Sequence, residues 1–194
     1  MISKRWKTTL ATALSLAFVA ILSNCSANKQ YGENVETQTA AVGIGIGGAS
    51  GSAGAQAGFP APDFQLMKID GAPVSLADMR GQPVVIVFWS AWCSSCKEEA
   101  PRINALAAEY GGKGVRVLGI NIKDSLARTE SGVRDFGIKY SVARDPDASV
   151  ARAYQVTGTP TIVFLDRKGV VRYFANELPN DYARLLDGLL AESF

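Results

Sequence analysis

Histidine is absent from the 194 residues of this chain. Its absence excludes Ser-His and Cys-His catalysis, His-ligated metal centres and the covalent haem-attachment motif, each of which needs an imidazole. Cysteine is scarce: Cys25, Cys93 and Cys96 are the only three. Three thiols without histidine do not complete a four-ligand structural zinc site unless carboxylates or a second chain contribute, and no metal is expected. The net charge is only +2, without the basic stripe of a nucleic-acid-binding protein. What the chain does have is apolar. With 47% hydrophobic and 20% charged residues it is not a disordered sequence, and its length fits one domain plus an accessory segment.

The accessory segment comes first. Lys4, Arg5 and Lys7 precede an uncharged, largely apolar stretch from Thr8 to Leu22. As a helix that stretch spans about 22 Å, short of the roughly 30 Å of a bilayer core, which fits an export signal over residues 1–24 better than a permanent span. The cationic end orients the rest of the chain outward. Leu22-Ser23-Asn24-Cys25 resembles the lipobox of bacterial lipoproteins, in which the cysteine is lipidated and opens the mature chain. Asn24 departs from that pattern, which has a small residue there. Lipidation of Cys25 would leave Cys93 and Cys96 as an even pair in an oxidising compartment. Ser26 is not the aspartate that retains lipoproteins in the inner membrane of many Gram-negative bacteria, so the outer membrane is a second expectation. Residues 25–58 read as a tether. Positions 43–58 hold seven glycines, and such a run loses too much backbone entropy to pack. As a coil the tether reaches about 30 Å.

Residues 59–194 are long enough for one core. Phe64–Leu66 and Val74–Leu76 read as short edge strands around Asp70-Gly71. Val84–Trp89 is a continuous β-branched and aromatic run, the pattern of a strand buried on both faces. A helix follows Cys96, with Ile103, Leu106, Ala107 and Tyr110 at helical spacing, and Gly111-Gly112 stops it. Further strands are expected at Val115–Ile120, Ser141–Arg144, Thr161–Leu165 and Val170–Phe174, the last two as a hairpin. Further helices are expected at Ser125–Phe136, Ala148–Tyr154 and from Pro179 or Asn180 onward. The order predicts an α/β fold, a central mixed sheet with helices on both faces.

The chemistry concentrates at Trp92-Cys93-Ser94-Ser95-Cys96. Two cysteines three apart, between a buried strand and a helix, make a redox motif. A helix start brings both thiols onto one turn, and its free amides and dipole stabilise a thiolate. Cys93, nearer the helix end and expected to be the more exposed, is the candidate nucleophile. Cys96, one turn in, is the candidate resolving thiol.

These residues carry a resemblance. The run Val84 to Tyr110, with FWSAWCSSCKEEAP at its centre, resembles the thioredoxin superfamily, and within it the membrane-tethered extracytoplasmic oxidoreductases of the TlpA/ResA/DsbE type. Ala61-Pro62-Asp63-Phe64, Val156 to Thr161 and the Asp166-Arg167-Lys168-Gly169 turn extend the likeness to the last helix, and peroxiredoxins share the opening element. The resemblance implies a thioredoxin-like fold in which Pro160 is cis and faces the dithiol. Thr159 would then pair through its backbone with an extended substrate beside the sulfurs. It implies that Glu99 takes or returns the proton of Cys96; from spacing alone Glu99 is equally a solvated acid. Trp92 reads as a packing and docking surface. Pro101 should kink its helix. The implied function is reduction of disulfides in exported proteins, apocytochrome c or another oxidised thiol protein, by the Cys93–Cys96 pair with no further cofactor. An upstream membrane thiol reductant would recharge the pair, and a lipid anchor would hold the protein on the periplasmic side of the bacterial envelope. Two other readings stand beside it. One is a non-catalytic lipoprotein that binds copper(I) or a partner chain, although copper-delivery relatives use a histidine absent here. The other is a thiol peroxidase, whose usual threonine three residues before the cysteine is Ser90 in this chain.

Overall fold

A computed structural model of the chain describes residues 55–193. The export signal, Cys25 and the tether up to residue 54 lie outside the described residues. Ala55 to Gly58, which the sequence reading assigns to the tether, pack on the domain. Ala55 is buried, and the Gly58 N–H donates to the Val171 carbonyl at 2.8 Å.

Seven strands form one sheet: β1 (Gln65–Lys68), β2 (Pro73–Ser75), β3 (Val84–Trp89), β4 (Arg116–Ile122), β5 (Ser141–Asp145), β6 (Thr161–Leu165) and β7 (Val171–Ala175). Their order is β2-β1-β5-β4-β3-β6-β7. The strands β5, β4 and β3 run parallel, and every other pairing is antiparallel. The sheet is therefore mixed, as expected. Four helices accompany it: α1 (Ser94–Gly111), α2 (Leu126–Asp135), α3 (Ser149–Ala153) and α4 (Tyr182–Ala191). Among the described residues no helix is long and apolar enough to cross a membrane.

The central strand β3 is buried at every position, and its alternation divides the core. Val84, Ile86 and Phe88 join Leu118, Ile120, Ala151 and Tyr154 on the face covered by α3. Val85 and Val87 join Ile103, Leu106 and Tyr110 of α1 and Leu186 and Leu189 of α4 on the other. Trp89, last in β3, packs with Cys93, Cys96 and Ala100 beneath the dithiol. A strand clothed on both faces by helices needs no polar positions, which is why its sequence is unbroken in hydrophobicity.

Local signals close the elements. The Ser125 hydroxyl accepts from the Arg128 N–H at 3.3 Å and caps α2. The Asp145 carboxylate, fully buried, accepts from the Val150 and Ala151 amides at 3.3 and 2.8 Å and caps the short α3. Two expectations are corrected. The first strand is not at the sheet edge: β1 lies between β2 and β5, because its Lys68 end pairs with Ala143. The long helix does not wait for Cys96. It opens at Ser94 with Cys93 as its N-cap, because the Cys93 sulfur accepts the Cys96 N–H and completes the first turn.

Candidate active site

The end of β3 delivers the chain through Ser90, Ala91 and Trp92 to Cys93 at the mouth of α1. Cys93 and Cys96 are joined in a disulfide, with Cα atoms 5.3 Å apart. The Cys96 N–H donates to Cys93 Sγ at 3.1 Å. Of all backbone groups, the first amides of a helix have no intrahelical acceptor. One of them therefore serves the sulfur that carries negative charge once the bridge opens.

The expected contrast in exposure between the cysteines is absent: Cys93 is 6% and Cys96 5% exposed. Area does not separate them; surroundings do. Cys93 Sγ touches polar groups, the Ser95 hydroxyl at 3.5 Å and the Thr159 carbonyl at 3.3 Å. Cys96 lines a small apolar recess with Val87, Trp89, Ile103, Phe136, Ile138, Tyr140 and Pro160. Burial in the same region pushes the Tyr140 phenol well above its ordinary range.

The Thr159–Pro160 peptide bond is cis, and Pro160 lies against the dithiol through that recess. Trp92 is 71% exposed, in contrast to the buried Trp89. Glu99 is partly buried, and its carboxylate accepts from Arg102 at 2.8 Å rather than meeting either cysteine. Arg102 in turn donates to Asn180. Among the described residues no cluster of three or more histidine, cysteine or carboxylate side chains could hold a metal.

Sequence reasoning missed two groups that shape the site. Asp124, between β4 and α2, is buried and accepts from the Ala91 N–H at 2.7 Å and from Asn121 Nδ2 at 2.9 Å. Thr129 donates to Asn121 Oδ1 at 2.8 Å and completes the network. It anchors the loop that carries Cys93. One signal was available: Asn121 interrupts the apolar run of β4, and a polar residue on a buried strand needs partners. The second group is Asn176, directly after β7, whose amide donates to the turn around Pro160. Nothing in its local sequence marks it.

Sequence and fold are both similar to those of known proteins. The family model described as AhpC/TSA matches residues 57–174. The chain belongs to the AhpC/TSA family. Within this thioredoxin-fold family its sequence relatives include the thiol-disulfide oxidoreductase ResA of Geobacillus thermodenitrificans, 34% identical over 115 residues. That match covers 59% of this chain and 66% of the relative, so the chain spans slightly less than two thirds of that protein's length. ResA of Bacillus subtilis is 30% identical over 114 residues, covering 59% of this chain and 64% of that protein. Among solved structures, a secreted disulfide oxidoreductase of Mycobacterium tuberculosis, homologous to DsbE of Escherichia coli, aligns with a TM-score of 0.56 at 28% identity, over 66% of this chain and 94% of that one. A thioredoxin-family thiol:disulfide interchange protein of Chlorobium tepidum aligns with a TM-score of 0.61 at 26% identity, over 69% and 97%. The AhpC/TSA assignment agrees with the thioredoxin-like fold expected from the Trp-Cys-Ser-Ser-Cys motif.

Proposed function

We propose that the protein is a membrane-tethered, extracytoplasmic thiol–disulfide oxidoreductase that reduces disulfides of exported proteins, with apocytochrome c among the candidate substrates. The observation that carries this reading is the Cys93–Cys96 bridge at the start of α1, against the Thr159–Pro160 turn and beside an exposed tryptophan. In the reduced protein the Cys93 thiolate attacks one sulfur of the substrate disulfide. The substrate's other sulfur leaves and takes a proton. The Cys96 thiolate then attacks Cys93 Sγ, the substrate's second sulfur leaves and is protonated, and the bridge closes. Two electrons pass from the dithiol to the substrate, and an upstream membrane thiol reductant restores the dithiol.

Each residue has a task in this scheme. The Cys96 amide steadies the Cys93 thiolate while it waits and after it is expelled. Glu99, three residues beyond Cys96 on the same helix, takes its proton after turning from Arg102, which holds the carboxylate while the bridge is closed. Trp92 and the Thr159 backbone receive the substrate chain. The export signal and an acylated Cys25 would place the domain on the periplasmic side of the bacterial envelope, at the inner or outer membrane.

The test is a trap in cells. A Cys96→Ala variant keeps the attacking thiol and loses the resolving one, so it should accumulate disulfide-linked adducts with exported proteins. The adducts should vanish under reducing conditions and with Cys93→Ala. Failure of Cys96→Ala to collect any adduct, together with a wild-type bridge that no thiol couple opens, would falsify the reading. Labelling with a lipid precursor, lost in Cys25→Ala, tests the anchor separately.

A further inference from the structure

Asn176 follows β7 and stands on the far side of the Gly158–Thr161 turn from the dithiol. Its amide Nδ2 donates to the Pro160 carbonyl at 2.9 Å and to Thr161 Oγ1 at 3.0 Å, and lies 3.5 Å from the Gly158 carbonyl. The Thr161 hydroxyl passes its own hydrogen to that Gly158 carbonyl at 2.7 Å. One side chain therefore gathers the oxygens on both sides of Thr159. The Thr159 carbonyl is left out of this set and lies 3.3 Å from Cys93 Sγ. The Thr159 N–H has no hydrogen-bond partner among the described residues.

A turn in which the carbonyls on either side of Thr159 share one donor has little freedom to rotate its middle peptide. Without the donor, water can satisfy the Gly158 oxygen, because Gly158 and Asn176 are exposed residues, and in the alanine variant it can approach the part-buried Pro160 oxygen through the space the amide leaves. Stability should then change little, while the orientation of Thr159 loosens. A side chain of this kind matters for presentation more than for folding.

We infer that Asn176 is a positioning residue: it holds the Gly158–Thr161 turn so that Thr159 offers an unpaired peptide group to an extended chain entering beside Cys93. The inference rests on the oxidoreductase reading above and deepens it, since it names the side chain that sets the orientation of the Thr159 backbone toward a substrate chain. A disulfide between small alcohols has no amide to pair with Thr159 and draws no benefit from Asn176.

The reduced full chain and its Asn176→Ala and Asn176→Asp variants are mixed with two oxidants in single turnover. One is the disulfide dimer of a short capped cysteine peptide; the other is hydroxyethyl disulfide. Asn176→Asp keeps the side-chain shape but turns an oxygen toward the Pro160 carbonyl, so it removes the donor independently of packing. For the peptide, both variants should raise the half-saturating concentration by about tenfold, as expected for about one lost hydrogen bond, with a smaller change in the limiting rate. The effect on hydroxyethyl disulfide should be several-fold smaller. Equal losses on both disulfides, or unchanged saturation by the peptide, would overturn the inference while leaving the oxidoreductase reading intact. A wild-type protein that reduced neither disulfide would overturn both.

Discussion

Cys93 and Cys96 sit three residues apart and equally covered, so their division of labour follows from neighbours: polar groups around one sulfur, hydrocarbon around the other. Desolvation disfavours a thiolate and a helix terminus favours it, and on that ground the proposed exchange assigns attack to Cys93 and resolution to Cys96. Asp124 holds the Ala91 amide in the loop that leads to Cys93. Replacing it with alanine leaves the Ala91 N–H and the Asn121 amide buried without their acceptor. Asp124→Ala should cost about 2–4 kcal/mol in urea unfolding, and Asp124→Asn, which keeps one oxygen, only about 1 kcal/mol. Equal stability of Asp124→Ala and wild type would mean that the Ala91 loop is held by something else. Cys93 and Cys96 were legible as a pair because their motif is local, whereas Pro160 entered only through the family resemblance. Asp124 was not legible, because its partner lies 33 residues away and an acid at a loop mouth looks solvated from sequence.

At the scale of elements, two helical glycines illustrate how packing overrides propensity. Gly132 in α2 faces Trp89: a Cβ there would stand 2.8 Å from the indole Cζ3 and 2.9 Å from Ala91 Cβ. Gly188 in α4 has nothing within 4 Å of the same position. Alanine gains about 0.8–1 kcal/mol over glycine in a helix interior, whereas overpacking a rigid ring costs about 1–3 kcal/mol. Gly188→Ala should therefore raise the melting temperature, and Gly132→Ala should lower it and disturb the Ala91 loop. Matching gains in the two variants would show that the indole moves aside freely. The sequence placed most elements to within two residues, since β3 carries unbroken hydrophobicity and α2 its Ser125 cap. The exception at β1 arose because a short strand with one half-exposed face reads the same at an edge or inside.

For the whole molecule, several phenols are locked into the folded core. Burial between α1 and α4, reinforced by Asp187, pushes Tyr110 from its ordinary value of 10.0 up to about 12. Burial also raises Tyr154, with the Asp63 charge adding to it. The folded protein keeps these protons where the unfolded chain has released them, so each contributes stability fully present below pH 10 and lost as pH rises through the folded values. Denaturant midpoints should be insensitive to Tyr110 ionisation up to pH 10 and fall between pH 10 and about 12, with Tyr110→Phe reducing the slope. A midpoint that held steady across that interval would contradict the burial of these rings. Residue order alone determined the dithiol at a strand-to-helix junction, the doubly covered central strand and the α/β class, because each depends on spacings within a few residues. Only the tertiary structure decided what steadies the site. Asp124 reaches Ala91 across 33 residues, Asn176 reaches Pro160 across 16, and Arg102, paired with Glu99, reaches Asn180 across 78. Contacts at such separations exist only once the strand order β2-β1-β5-β4-β3-β6-β7 has brought distant loops to one end of the sheet, and no local pattern of side chains encodes that meeting.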